Sequence, residues 1–153
     1  MYAIQQIEPW SPRTSSSDWA DVLASFPLFS GIAKRRLRSL VEESTVAEYA
    51  PGGVVVDKGD PGNALYVILS GSARVRGRPA SRTLRTGDYF GELGAVDGSP
   101  RSAAVVAREE LHVMRLPRQS FLKLAKRYPA ISLRMLSALG SQIRRLEAQP
   151  AAR

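Results

Sequence analysis

The residues best suited to chemistry lie in one glycine-rich stretch in the second half of the sequence. Gly91 and Gly94 allow the backbone to approach a ligand closely, and a helical turn starting near Glu92 would direct free amide groups at an anion. Arg101 carries a planar guanidinium that can hold two oxygens of one phosphate, and Ser102 adds a hydroxyl and an amide. This pattern predicts a phosphate site.

Glu92 is a hydrogen-bond acceptor among these donors. Because a carboxylate repels a phosphate, Glu92 must face another part of the same ligand, and the hydroxyls of a ribose are suitable donors. One phosphate and one ribose together describe a nucleotide. In the alternative interpretation, Glu92 and Arg101 form a solvated ion pair at an ordinary barrel corner.

The segment Phe90-Gly91-Glu92-Leu93, with Arg101-Ser102-Ala103 beginning eight positions later, resembles the phosphate-binding cassette of the cyclic nucleotide-binding domains. These domains occur in bacterial catabolite activator proteins, in kinase regulatory subunits and in gated channels. The resemblance implies that Glu92 binds the ribose 2'-hydroxyl and that Arg101 binds the cyclic phosphate. The remaining expected ligand-binding residues are Gly91, Leu93, Ser102 and Ala103.

The resemblance implies cyclic AMP as the ligand, with cyclic GMP as the alternative. In this family a threonine directly after the arginine often accompanies a preference for cyclic GMP, whereas here Ser102 and Ala103 follow Arg101. The base is expected to extend toward the C-terminal helices. The last helix offers Arg134, Ser137 or Ser141 near the base, and the sequence does not identify which residue covers it.

Short apolar runs with a period of two begin at Thr45, and turns rich in glycine, proline and aspartate separate them. The runs cover residues 45–50, 54–56, 64–69, 73–76, 82–85, 103–107 and 111–116. Many brief strands of this kind predict a mainly β fold, an antiparallel jelly-roll barrel that is either closed or built from two sheets. The resemblance to the family extends over about residues 27–145.

Both ends of the sequence have helical periodicity. Asp18 is a suitable N-cap for a helix that Pro27 ends, and a second helix spans residues 33–43. The resulting division is a flexible tail (1–17), N-terminal helices (18–44), the β core (45–116), C-terminal hinge and lid helices (117–147) and a final tail (148–153).

After Pro117, the sequence predicts a short helix that Pro129 interrupts and a longer helix over residues 130–147. The longer helix has a stripe of apolar residues, which either the barrel or the same helix of a second copy must cover. In the resembled family these helices form a lid and a hinge that move when nucleotide binds. The stripe consists of Ile131, Met135, Leu139, Ile143 and Leu146, with Leu136 and Ala138 beside it.

The net charge of +8 is concentrated near the C-terminus. Residues 117–153 hold 8 basic and 1 acidic side chains, whereas residues 1–116 hold 14 and 13. A second basic patch is expected on one face of a hairpin. It would comprise Arg74, Arg76, Arg78, Arg82 and Arg85 and would either meet a partner or protect a sheet edge from aggregation.

Several classes of function are disfavoured. His112 is the only histidine and is expected to be structural, so a metal enzyme or a triad hydrolase lacks its ligands or its base. No cysteine, leader or membrane-spanning run is present, which indicates a soluble cytoplasmic protein without a metal. The sequence ends six residues after Glu147, so a full-length chain of this extent has no room for a helix-turn-helix and is not expected to bind DNA sequence-specifically, whereas a piece of a longer protein leaves that question open.

The function predicted from the sequence is a stand-alone, non-enzymatic sensor of a cyclic nucleotide. Ligand binding would reposition the C-terminal helices and signal to a protein effector or across a homodimer. In the competing interpretation, the barrel is a constitutive protein-interaction module that acts through its basic C-terminal helices.

Overall fold

A computed structural model describes residues 16–76 and 82–149. The predictions for Arg78, for the first fifteen residues and for the last four therefore lie outside the described residues. Within the described ranges, none of the helices combines the length and the apolar character that crossing a membrane requires.

Eight strands in the described part of the chain form two antiparallel sheets of four strands each. The first sheet has the order β1-β8-β3-β6 and the second the order β2-β7-β4-β5. The strands are β1 Thr45–Tyr49, β2 Val54–Val56, β3 Ala64–Ser70, β4 Ser72–Val75, β5 Arg82–Arg85, β6 Tyr89–Phe90, β7 Val105–Ala107 and β8 Leu111–Pro117. The predicted mainly β class and its double-sheet form are confirmed, whereas the closed-barrel form is wrong, because no ladder of hydrogen bonds joins the two sheets among these strands.

Strand β3 lies between two hydrophobic cores. Its even-numbered side chains Ala64, Tyr66 and Ile68 pack inside the double sheet, and its odd-numbered side chains Leu65, Val67 and Leu69 pack against the helices. This arrangement follows from the period of two in a strand, which sends neighbouring side chains to opposite faces. Because both faces are covered, the strand is apolar almost throughout.

Five α-helices and one 3₁₀ turn flank the sheets in the described ranges. The helices are α1 Ser16–Ala24, α2 Lys34–Glu43, α3 Glu92–Asp97, α4 Arg118–Arg127 and α5 Pro129–Ala148, and the 3₁₀ turn is Pro27–Phe29. Helix α1 begins two residues before the expected cap Asp18. Pro129 is the first residue of α5, a position where its missing N–H costs nothing.

The basic patch predicted on the β4–β5 hairpin is wrong for Arg82. The register pairs Arg74 with Thr83 and Val75 with Arg82. Arg82 therefore shares a face with the buried Leu84, whereas Arg74 and Arg85 are exposed on the opposite face. Arg82 and Arg85 are three residues apart, so they cannot share a face of one strand, and the register places Arg85 rather than Arg82 on the face of Arg74.

Candidate functional site

Arg101 is a buried cation, with 8% of its surface exposed. Its backbone N–H donates to the carbonyl oxygen of Asp60 at 2.8 Å, and its own carbonyl accepts from the N–H of Gly59 at 2.8 Å. Its Nη2 donates to the carbonyl oxygen of Ala64 at 2.6 Å. The turn before β3 therefore holds the backbone of Arg101, and the first residue of β3 accepts one hydrogen bond from the tip of its side chain.

The guanidinium of Arg101 is not fully satisfied by these contacts. Its Nε is buried and has no hydrogen-bond partner among the residues that the structure describes. Burial lowers the pKa of Arg101 from its ordinary value, because desolvation disfavours the charged form. A buried donor without an acceptor is costly, so the site is suited to an anion that supplies one.

Gly91 allows Arg101 to occupy this position. It forms the N-cap of α3 with a φ of +83°, a conformation that residues with side chains rarely adopt. A Cβ atom at Gly91 would also collide with Nη1 of Arg101. The glycine is therefore required both by its backbone conformation and by the packing of the guanidinium against it.

Glu92 lies beside a cavity of about 300 Å³ between β5, the residues that follow β5 and helix α5. The volume is at the lower end of the range for small-molecule sites. Glu92 is half-buried and Arg101 does not contribute to the lining. The other lining residues are Arg82, Thr83, Leu84, Asp88, Tyr89, Ala138, Leu139, Gln142 and Arg145.

The structure brings only part of the predicted site together. Gly91 contacts Arg101, and Glu92 directly follows Gly91 and lines the cavity. Ser102 is exposed and Ala103 is half-buried directly after Arg101, whereas Leu93 is 58% exposed on α3. The ion-pair interpretation is wrong, because Arg101 is buried and the ion pairs among the described residues do not join it to Glu92.

The sequence-based candidates for covering the base do not line the cavity. Arg134 donates from Nη1 to the carbonyl oxygen of Leu28 at 2.9 Å, and Ser137 and Ser141 are exposed. Leu139 and Gln142 line the cavity in their place. The sequence holds a signal for this, since both follow the buried Met135 at steps of four and three along one face of α5.

Arg118 connects this region to the C-terminal helices. It is the first residue of α4, and its Nε and Nη2 donate to the carbonyl oxygens of Ala95 and Val96 at 3.1 and 3.0 Å. These carbonyls belong to the last turn of α3, where helical acceptors are free and a cation is favourable. The two helices are thereby joined by one side chain.

A separate polar cluster lies on the β1–β8 pair. The ligand atoms of Glu48, Glu110 and His112 all lie within 4.8 Å of one another, and His112 Nδ1 is 3.0 Å from Ser70 Oγ. Both carboxylates are exposed. Exposed acidic groups commonly meet in this way without an ion, so the cluster is not interpreted as a metal site.

Three comparisons relate the chain to known proteins. Residues 46–128 match the family model described as "Cyclic nucleotide-binding domain". The chain is 32% identical over 105 residues to a cAMP-dependent protein kinase regulatory subunit of Aspergillus fumigatus, and 38% identical over 101 residues to a cGMP-dependent protein kinase of Toxoplasma gondii. It is also similar to the regulatory domain of Toxoplasma gondii PKA crystallised with cAMP, with a TM-score of 0.70 and 27% identity.

The matches cover most of this chain and a smaller part of the other proteins. They span 67% of this chain and 25% of the Aspergillus subunit, and 63% of this chain and 10% of the Toxoplasma cGMP-dependent kinase. The structural match spans 83% of this chain and 50% of the crystallised domain.

Proposed function

Because the chain belongs to the cyclic nucleotide-binding domain family, we propose that it binds cyclic AMP and transmits this binding through its C-terminal helices. The buried guanidinium of Arg101, with its unpartnered Nε, is the observation that carries the proposal. A cyclic phosphate would supply the missing acceptor and the balancing charge. Support also comes from Gly91, whose lack of a side chain leaves room for the guanidinium.

The other cassette residues have roles that suit their positions. Glu92 would accept a hydrogen bond from the ribose 2'-hydroxyl at the edge of the cavity. Ser102, next to Arg101, would add its hydroxyl and amide to the phosphate contacts. Gly91, Leu93 and Ala103 would contribute backbone to the cassette that surrounds the sugar and the phosphate.

The base would occupy the cavity between β5 and α5. Gln142 offers both a donor and an acceptor there, and Leu139 offers an apolar surface. We favour cyclic AMP, since both the Aspergillus relative and the cAMP-bound Toxoplasma structure are named for this nucleotide. Cyclic GMP is the alternative, because it shares the phosphate and the ribose, and the Toxoplasma kinase relative is named for it.

The output would pass from the cassette to the last two helices. Arg118 holds the end of α3, and α3 begins at Gly91 beside Arg101, so a ligand that moves the cassette would pull directly on α4. Arg134 makes a second link of this kind, because its hydrogen bond joins α5 to the 3₁₀ turn at Leu28. The ligand would then favour one arrangement of these helices by binding it more tightly.

The outer face of α5 suggests a second copy of the chain as the partner. Leu136, Leu139, Ile143 and Leu146 are spaced by three, four and three residues, the spacing of a coiled-coil seam. Leu136 is 62%, Ile143 54% and Leu146 58% exposed. Gln142 and Glu147 occupy the positions that flank this seam. If two copies of α5 pair in parallel, these two residues face each other across the seam, and no arginines are brought together there.

The alternative function is a constitutive interaction module. It is favoured by the exposed apolar residues of α5 and by the basic excess after Pro117. A thermal unfolding series separates the two functions, since a ligand at a hundred times its Kd adds about 2.7 kcal/mol of stability. An unchanged unfolding temperature in saturating cyclic AMP and cyclic GMP would favour the interaction module.

The direct test of the proposed function is calorimetric titration of cyclic AMP and cyclic GMP into wild type, Arg101→Ala and Arg74→Ala. Loss of a charge-assisted hydrogen bond costs about 1.5 to 3 kcal/mol, so Arg101→Ala should bind about 10- to 100-fold more weakly. Arg74→Ala removes the same charge from an exposed position and should bind as wild type. Wild-type affinity in Arg101→Ala would contradict the assignment.

The remaining expectations about the whole protein stay predictions. These are that the chain acts alone, works in the cytoplasm, performs no catalysis and does not bind DNA sequence-specifically. The relatives named above are much longer than their match to this chain, so their activities and partners are not transferred to it.

A further inference from the structure

Three flat groups form a continuous stack inside the double sheet. The guanidinium carbon of Arg101 lies 5.4 Å from the centre of the Tyr66 ring, within the range of a cation–π contact. The Tyr66 ring in turn stacks on Phe90, with ring centres 4.9 Å apart and planes inclined by 7°. Tyr66 is thus the middle member of the stack.

The stack joins both halves of the cassette. Phe90 directly precedes Gly91 and Glu92, and Arg101 belongs to the second half. Tyr66 is on neither half but on the central strand β3, where it pairs in register with Phe90. It is 9% exposed, so the surrounding core fixes its ring.

The position of Arg101 depends on few contacts. Its guanidinium donates one hydrogen bond from Nη2 to Ala64 and has an unpartnered Nε, while Gly91 offers only backbone beside Nη1. An arginine side chain has many rotamers, and a single hydrogen bond does not define the plane of its guanidinium. The Tyr66 ring supplies a further contact, since its centre lies 5.4 Å from the guanidinium carbon.

We propose that Tyr66 is a positioning residue, whose ring holds the Arg101 guanidinium in the orientation that receives the anionic group of the ligand. The inference rests on the proposed function, since it assigns Tyr66 a part in the same site. Because Tyr66 fixes the guanidinium before the ligand arrives, the Arg101 side chain loses less conformational entropy when the ligand binds. The phenol hydroxyl has no part in this role, so a phenylalanine at position 66 should hold the guanidinium equally well.

The test is a double-mutant cycle with cyclic AMP as the titrated ligand. Tyr66→Leu should weaken binding about 3- to 30-fold, the range of a desolvated cation–π contact. Tyr66→Phe should restore the affinity to about the wild-type value. In an Arg101→Ala background, Tyr66→Leu should have little further effect, because the group that it positions is gone.

Controls separate positioning from general loosening of the core. Phe29→Leu removes another fully buried aromatic ring, in the core on the helical side, and should lower the unfolding temperature without changing the affinity. If Tyr66→Leu does not fold, Tyr66→Met keeps a flexible apolar side chain at the site and replaces it in the cycle.

The possible results have distinct meanings. A wild-type protein that binds neither cyclic nucleotide refutes the proposed function and this inference with it. If the wild type binds, wild-type affinity in Tyr66→Leu refutes only the role of Tyr66. The role of Tyr66 is also refuted if Tyr66→Phe binds cyclic AMP as weakly as Tyr66→Leu does. It is refuted as well if Tyr66→Leu lowers the affinity by the same factor in the Arg101→Ala background as in the wild type.

Discussion

At the scale of residues, Glu92 and Arg101 would contact different parts of a cyclic nucleotide under the proposed function. Arg101 is buried and lacks an acceptor at Nε, whereas Glu92 is half-buried at the rim of the cavity. A carboxylate at the rim remains accessible to water. Water can therefore replace the ligand's hydroxyl as the hydrogen-bond donor when the ligand leaves. The buried cation suits the part of the ligand that carries a full charge.

This division predicts a selective effect of Glu92→Ala. The wild type should bind cyclic AMP about 10- to 100-fold more tightly than its 2'-deoxy analogue, because the analogue leaves the carboxylate without its donor. Glu92→Ala should bind the two ligands with similar affinity, as measured by calorimetric titration. Thr83→Ala, a change at another cavity residue, should keep the wild-type preference.

A persistent preference for cyclic AMP over the 2'-deoxy analogue in Glu92→Ala would refute the ribose contact. It would leave the role of Arg101 intact, since that role is measured independently.

At the scale of elements, α3 and α4 are joined through Arg118. The two hydrogen bonds from this side chain end on the carbonyls of Ala95 and Val96 near the C-terminal end of α3, little more than one turn from Gly91. Under the proposed function, a movement of the cassette would reach α4 through this short, directional contact.

Arg118→Ala should separate binding from signalling. We expect affinity for cyclic AMP within a few-fold of wild type, because Arg118 does not line the cavity. The ligand-dependent change in hydrogen exchange in α4 and α5 should shrink, because the connection to α3 is lost. Arg127→Ala, at an exposed position of α4, should respond as wild type. An unchanged exchange response in Arg118→Ala would contradict the coupling.

Most elements could be predicted from the sequence because their signals are local. The period of two in β3 and the apolar face of α5 are visible without a partner. Strand β6 was missed, since Tyr89–Phe90 is too short to show any period. Its two residues become a strand only by pairing with Tyr66 and Val67 of β3.

The candidate site was predictable only where the residues are close in sequence. Gly91, Glu92 and Arg101 belong to one segment, so their types and spacing indicated a site. Gln142 and Tyr66 could not be assigned from the sequence, because their proximity to that segment depends on how α5 and β3 pack.

At the scale of the whole molecule, α5 has two apolar faces, one buried and one exposed. Ile131 and Met135 are buried in the protein's own core, whereas Leu136 and Ile143 remain exposed along the proposed seam. Because Leu139 belongs to the seam and also lines the cavity, association of two copies would take place beside the ligand.

The seam predicts a dimer that one charge can disrupt. Wild type should sediment as a dimer at micromolar concentration, and Leu136→Glu should sediment as a monomer, because a carboxylate would be buried opposite its symmetry mate. Ser141→Glu is the control, since Ser141 is exposed on the same helix and lies on the face opposite the seam. A monomeric wild type, or a dimeric Leu136→Glu, would refute the pairing.

The two-sided burial of β3 offers a route for protein engineering. Its odd-numbered residues Leu65, Val67 and Leu69 belong to the helical core, while Tyr66 faces Arg101. Substitutions at the odd-numbered positions would therefore change the packing of the helices, while the contact between Tyr66 and Arg101 would be kept. A biosensor built on this scaffold could have its sensitivity and its output adjusted separately, from opposite sides of a single strand.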